Sequence, residues 1–295
     1  MWLIKDVPES KAESKGKFRF DYLGLVVFII TMLCINVVIT YGADFGWTSL
    51  LTLGLIAASI IGIIVFVKIE QGKEVVLVDF SIFKNKPYSG ATLSNFLLNA
   101  IAGTLVGANT YVQVGRGFNS FQSGMFSLGY LVTVLAMIRV GEKILQRAGA
   151  KAPMFWGALI TTIGVAMMGF TFLPDLPYTV AVFLGFALFG LGLGTYATPS
   201  TDTSVSNAPL DKVGEAAGVY KMASSLGSAF GVAISSTVYS TFTATTSLET
   251  AATFGIITNV IFGILSIISI LWMVPRDTGK ATKAVSTPGQ PEPTA

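Results

Sequence analysis

The side chains able to do chemistry are few, and their placement is informative. The chain of 295 residues has no histidine, which removes the commonest general base, metal ligand and proton relay. Its one cysteine, Cys34, has no internal disulfide partner and builds no thiolate cluster; a small apolar residue inside a helix is its ordinary role. Acids number sixteen, and none lies near the middle of a long apolar run. Asp202, a few residues past one such run, is the borderline case. Lys221 with Ser224 or Ser225 offers the elements of a Ser–Lys pair. No oxyanion-type glycine arrangement or paired carboxylate accompanies it, so neither an enzyme nor a metal centre is expected, and no cofactor.

The remaining polar groups lie inside apolar stretches. Asn95 and Asn99 are four apart and share one face of a helix. Asn109 and Gln113 follow toward the far end of the same stretch. An asparagine pair in lipid costs several kcal/mol without partners, so this stretch faces protein or water. Two readings fit: hydrogen-bonded glue between helices, or the wall of a water-filled substrate cavity. On the second reading Asn95, Asn99, Asn109 and Gln113 are the substrate-side candidates. Arg116 is an interfacial anchor or part of an outer gate. Lys221 can snorkel to the near surface. Asp202, after Pro199-Ser200-Thr201, either caps a short interfacial helix or takes part in gating, and Pro199 predicts a helix break. The pairs Gly103 and Gly107, Gly190 and Gly194, Gly214 and Gly218, and Gly227 and Gly231 each share a helix face, as close helix packing requires.

The elements that carry these residues are membrane spans. Hydrophobic residues make up 52% and charged residues 12%, and mean hydropathy is +0.69, which excludes an ordinary soluble domain. Eight uncharged runs reach span length. They are Leu23–Tyr41, Trp47–Val67, Tyr88 to about Tyr111, and about Gly124 to Ile138, followed by runs within Pro153–Leu173, within Tyr178–Ala197, from Met222 past Phe242, and within Ala251–Val274. Continuous apolar runs, rather than strict alternation, mark them as helices and not barrel strands. All of the 19 lysines and arginines except Arg116 fall on one side of this alternation, which predicts both termini in the cytoplasm. The expected fold class is an all-α membrane protein with eight transmembrane helices. Residues 1–20 read as a cytoplasmic link, 21–70 as two helices, 71–87 as a cytoplasmic loop, 88–275 as six helices and 276–295 as a disordered tail. A net charge of +3 gives no support to nucleic-acid binding; the expected partner is the lipid bilayer.

Three stretches carry a family resemblance. Asp21-Tyr22-Leu23-Gly24 is similar to the D-x-x-G-x-x-L motif that opens the seventh helix of the fourteen-helix drug:proton antiporters of the major facilitator superfamily, with Val27 in place of the last Leu. Leu226-Gly227-Ser228-Ala229-Phe230-Gly231-Val232-Ala233-Ile234 resembles their L-G-x-x-x-G-x-A-V motif at the thirteenth helix, departing at Ser236 and Thr237. Gly141 to Lys151 loosely resembles the superfamily's basic loop, with Gln146 where Asp is usual. The runs Tyr196–Thr203 and Gly218–Ser225 look like the quinolone-efflux subgroup. The resemblance implies two central linker helices followed by a six-helix C-terminal bundle, and six earlier helices outside this chain that carry the antiport motif and the embedded carboxylates. It implies a multi-pass protein of the bacterial plasma membrane that exports hydrophobic or cationic drugs in exchange for protons by rocker-switch alternating access. The partners implied are small-molecule drugs, protons and that earlier bundle. Helices three and six would line the cavity, four and seven flank it, and five and eight face lipid. The competing expectation is a folded but transport-silent remnant with a structural role only.

Overall fold

The computed structural model describes residues 21–71, 80–209, 212–276 and 278, with every side chain among them except that of Ala43. No strand occurs among the described residues. The 1–20 link, residues 72–79 of the 71–87 loop and nearly all of the 276–295 tail lie outside them.

α1 (Tyr22–Phe45) and α2 (Leu50–Gln71) pair as a hairpin. The D-x-x-G motif explains how α1 starts. Asp21 Oδ1 accepts the Gly24 N–H at 2.9 Å, a side-chain N-cap. A Cβ on Gly24 would run into the Asp21 carboxylate and come within 2.7 Å of Glu70 Oε1 on α2, so glycine is what lets the cap and the hairpin coexist. Further along, Gly62 of α2 admits the Thr31 side chain of α1, and the Phe28 and Phe66 rings meet at 5.3 Å. Most of the remaining surface of the pair is exposed Leu, Ile and Val. In water that would be an aggregating patch; against acyl chains it is matched.

A 3-10 turn, Phe80–Lys84, leads into the bundle. The third span is one helix by its sequence pattern but two in the structure: α3 (Lys86–Ala100) and α4 (Gly103–Val114). At Ile101 and Ala102 the bonding tightens to i−3: Ala102 N donates to Asn99 O, Thr104 N to Ile101 O and Leu105 N to Ala102 O. No proline causes this. Asn99 Nδ2 takes the Asn95 carbonyl at 2.8 Å just before the break, and Gly103 just after it sits against the Gly231 carbonyl.

α5 (Ser120–Ala148) opens with a capping box between Asn119 and Gln122. It closes at Gly149, whose φ of 81° suits glycine, so that α6 (Lys151–Met168) begins two residues later. α7 (Asp175–Ser206) runs unbroken through Pro199, against the break expected there. The carbonyl that Pro199 cannot bond, Thr195 O, lies against Gly141 of α5, where a Cβ would come within 2.6 Å. The missing donor is thus met by a close helix contact instead of a helix end. α8 (Val213–Thr243) and α9 (Leu248–Met273) complete the fold, α9 capped by the Ser247 side chain at Thr250 N.

The broken span is central: α3 packs on α7, α8 and α9, while α5 and α6 lean on α7 and α6 also meets α9. α1 touches α8. Counting α3 and α4 together, seven segments among the described residues are long and apolar enough to cross a membrane. α8, the seventh run of the sequence, is long enough at 31 residues. It is less apolar because it is rich in serine, threonine and glycine, of which Gly227, Gly231 and Ser235 are buried against neighbouring helices. The exposed side chains of α6, Trp156 and Ile163, and those of α9 from Phe254 to Trp272 are all apolar, whereas Thr161, Thr162, Asn259, Ser266 and Ser269 turn inward. This is the distribution of an all-α membrane protein whose outer surface meets lipid.

Candidate substrate cavity and the residues behind it

The face of α3 that holds the asparagine pair meets α8. Asn95, only 4% exposed, donates through Nδ2 to the Tyr220 carbonyl of α8 at 3.1 Å. Its Oδ1 accepts Asn99 Nδ2 at 2.8 Å. Asn95 is therefore used up inside the protein, while Asn99 is half-exposed and keeps its side-chain oxygen for the surface. One residue before Asn95 a run of hydroxyls begins. Ser94 Oγ and Tyr196 Oη are 2.7 Å apart; Ser200 Oγ donates to Tyr196 Oη at 2.9 Å; and Tyr220 Oη donates to Ser200 Oγ at 2.9 Å. This buried chain ties α3, α7 and α8 together, and sequence spacing alone gave no sign of it, since its members lie on three separate helices.

The glycine pairs divide sharply once neighbours are known. Gly227 and Gly231 of α8 admit the backbone of Phe96 and Ala100 of α3. Gly190 and Gly194 of α7 admit Tyr130 and Val134 of α5. Gly103 meets the Gly231 carbonyl, yet a Cβ at Gly107, one turn on, would meet nothing within 4 Å, and the same holds for Gly214 and Gly218. The first set is close packing; Gly107, Gly214 and Gly218 border open space.

Asn109 and Gln113 differ from the pair below them. Asn109 is half-exposed and donates to the Leu105 carbonyl at 2.9 Å. Gln113 reaches across the α4–α5 connection: Nε2 donates to Ser123 Oγ at 2.9 Å and Oε1 accepts Ser120 Oγ at 3.4 Å. Asp202 lies within the last turns of α7, so no separate helix exists for it to cap; the Ser206 hydroxyl donates to its carbonyl. Lys221 is exposed on α8.

Arg116 closes the end of the bundle opposite the other described lysines and arginines. Its Nη1 is 2.5 Å from Asp175 Oδ1 and its Nε donates to Tyr111 Oη at 3.1 Å. Nη2 donates to the carbonyls of Thr171 at 2.6 Å and Leu173 at 2.7 Å. Glu249 Oε1 is 4.0 Å away, and the guanidinium lies over the Tyr178 ring at 4.9 Å. One side chain thus joins the α4–α5, α6–α7 and α8–α9 connections. Burial works against its charge, but the hydrogen bonds to Asp175 and Tyr111 outweigh it and raise its pKa further. The sequence had singled out Arg116 by its side of the membrane, as an anchor or part of an outer gate, but not its partners.

Among the described residues no group of three or more His, Cys, Asp or Glu could hold a metal ion. The arrangement among the described residues is one of packed helices around neutral polar groups. It defines a multi-pass α-helical membrane protein. Residues 67–232, more than half of the chain, match the Major Facilitator Superfamily. The chain belongs to this family of transporters, which is not an enzyme class. It is 49% identical over 276 residues to the quinolone resistance protein NorB of Staphylococcus aureus strain MRSA252, and 50% identical over the same length to that of strain COL. Each alignment takes in 94% of this chain and 60% of the relative. The chain therefore spans about three-fifths of the length of the curated relatives it matches.

Proposed function

We propose that this chain forms the later part of an exporter that expels hydrophobic and cationic compounds, quinolones among them, from the bacterial cytoplasm in exchange for protons. The observation that carries the reading is the near-half identity, along 94% of the chain, to proteins named for quinolone resistance. Substrate would sit near the midplane between this bundle and an earlier six-helix bundle, and the two would rock about it. Proton carriage would fall to that earlier bundle, since no carboxylate of this chain sits in mid-span. Asn99 and Asn109, half-exposed on the central broken span, would face the substrate, with Asn95 and the α3–α8 contact as the rigid backing. Both termini would lie in the cytoplasm, since all lysines and arginines except Arg116 fall on one side of the alternating spans in the sequence.

The test is quinolone and dye efflux from cells expressing the chain with and without the first six helices of a relative supplied in trans. Efflux by the pair that a protonophore abolishes supports the proposal. No efflux in either case, with both pieces present in the membrane, supports the transport-silent alternative. Thiol labelling at Asp44→Cys and Lys212→Cys checks the orientation: only the first is expected to react from outside.

A further inference from the structure

The start of α6 and the end of α9 border a cleft of about 380 Å³ at the end of the bundle opposite Arg116. Lys151 and Arg276 line it, with Phe155 and Trp156 one turn further along α6 and Leu271 on α9.

A proline fixes the place of Lys151. The N–H that would bond the Leu271 carbonyl belongs to position 275, and Pro275 has none. Lys151 Nζ donates to that carbonyl instead, at 2.8 Å, as basic side chains do at helix C-termini. An ammonium carries three N–H groups, so donors remain for a ligand. Arg276 is placed by a different bond. The Ala150 N–H, just before α6, donates to the Thr278 carbonyl at 2.8 Å and draws the stretch after α9 across the start of α6. Arg276 lies in that stretch and is exposed. Among the described residues neither cation is in an ion pair, and no carboxylate lines the cleft. The sequence around it has the same bias. Stretches 139–151 and 276–283 hold seven lysines and arginines against Glu142 and Asp277, and Glu142 is 3.1 Å from Arg139.

The apolar side of the cleft runs on into the outer surface: Trp156, Leu271 and Trp272 are all exposed. Tryptophan beside basic residues is the composition of a membrane–water interface. A small anion would engage the two cations and leave these apolar walls bare. A phospholipid engages both, and basic pockets between spanning helices suit anionic head groups. A zwitterionic lipid brings a cation of its own, which Lys151 and Arg276 repel.

We propose that this cleft binds an anionic phospholipid, its phosphate between Lys151 and Arg276 and an acyl chain along Trp156 and Leu271. The site is independent of what the chain exports.

The test reconstitutes the full chain in vesicles of phosphatidylcholine with phosphatidylglycerol, one or the other brominated on its acyl chains, and reads tryptophan quenching. One chain keeps Trp156 alone, with Trp2, Trp47 and Trp272 changed to Phe. A second keeps Trp47 alone, between α1 and α2. Sodium chloride at about 0.5 M screens the diffuse attraction of a basic surface for anionic lipid. The expected result is a preference for phosphatidylglycerol at Trp156 at least about fivefold above that at Trp47, the effect of one well-placed cation. Lys151→Gln with Arg276→Gln should bring the two within about twofold, while Lys143→Gln, exposed on α5 outside the cleft, should change nothing. Gln keeps an N–H for the Leu271 carbonyl; if the double variant does not elute as a single species, Arg276→Gln alone is read. Equal preference at Trp156 and Trp47 would overturn the proposal. So would a loss at Lys143→Gln as large as at the cleft, which would mean a diffuse surface charge. If millimolar inorganic phosphate alone removed the preference, the cleft would be a site for small anions and the lipid proposal would fall.

Discussion

Gly231 on α8 presses against the carbonyl oxygen of Ala100 on α3, one residue before the third span breaks. Lipid supplies no hydrophobic drive between helices, so such contacts hold the bundle through close packing. A Cβ at Gly231 would fall far inside van der Waals distance of that backbone oxygen, and backbone cannot swing aside. Gly231→Ala is expected to cost about 1–3 kcal/mol as overpacking does. Gly107→Ala, with open space around it, should be neutral or gain up to about 1 kcal/mol from helix propensity. Thermal midpoints from fluorescence-detected gel filtration decide. Equal losses at both positions would contradict the packing.

The Arg116 clasp makes a graded prediction. Arg116→Ala strands the Thr171 and Leu173 carbonyls and should lower stability by about 2–3 kcal/mol. Arg116→Lys, a single point of charge in place of a fork, should recover less than half of that. Asp175 is 82% exposed, so Asp175→Asn should stay within about 1 kcal/mol. Because the guanidinium pKa is raised, its contribution is present below the ordinary arginine range and lost only above it. Between neutral pH and about pH 9 the effect of Arg116→Ala should therefore be flat. Denaturation midpoints at several pH values measure it, and a strong slope would mean that another group carries the clasp.

How much of this was legible in the sequence depends on whether the deciding contact is local. The spans were, because each apolar run states its own environment, and the D-x-x-G cap was, because Asp21 and Gly24 are three apart. The break at Ile101 was not: no proline marks it, and its surroundings include Gly231, far away in sequence. Pro199 misled for the converse reason, since the contact that accommodates it comes from Gly141 on another helix. Gly103 and Gly107 look alike by spacing and differ only in what α8 places opposite them.

The hydroxyl chain orders two conservative substitutions. Tyr196 Oη is shared by Ser94 and Ser200, both buried, so Tyr196→Phe strips a partner from each. Tyr220 Oη also accepts Thr201 Oγ1, at a longer 3.5 Å, and Tyr220→Phe leaves Ser200 bonded to Tyr196. Interhelical hydrogen bonds in membranes average about 0.6 kcal/mol, so Tyr196→Phe should cost about 1 kcal/mol and Tyr220→Phe about half as much. Thermal midpoints in the same detergent check the order. A larger loss at Tyr220 would show that the chain is not held at its centre.

The asparagine pair should separate stability from binding. Asn95 spends both ends of its amide within the protein, on the Tyr220 carbonyl and on Asn99. Asn95→Ala removes the α3–α8 side-chain hydrogen bond and leaves a gap in the seam, a loss of about 1–3 kcal/mol. Asn99 spends only its nitrogen, and both its bonds run to Asn95 within one helix. Asn99→Ser keeps a polar group at the surface and should change stability by less than about 1 kcal/mol. If the half-exposed oxygen of Asn99 contacts the exported compound, Asn99→Ser should weaken quinolone binding, read by ligand fluorescence, while the thermal midpoint holds. Asn95→Ala should lower the midpoint, with any loss of binding following the loss of folded protein. An Asn99→Ser chain that binds as tightly as its parent would remove Asn99 from the substrate face and leave the pair as interhelical glue.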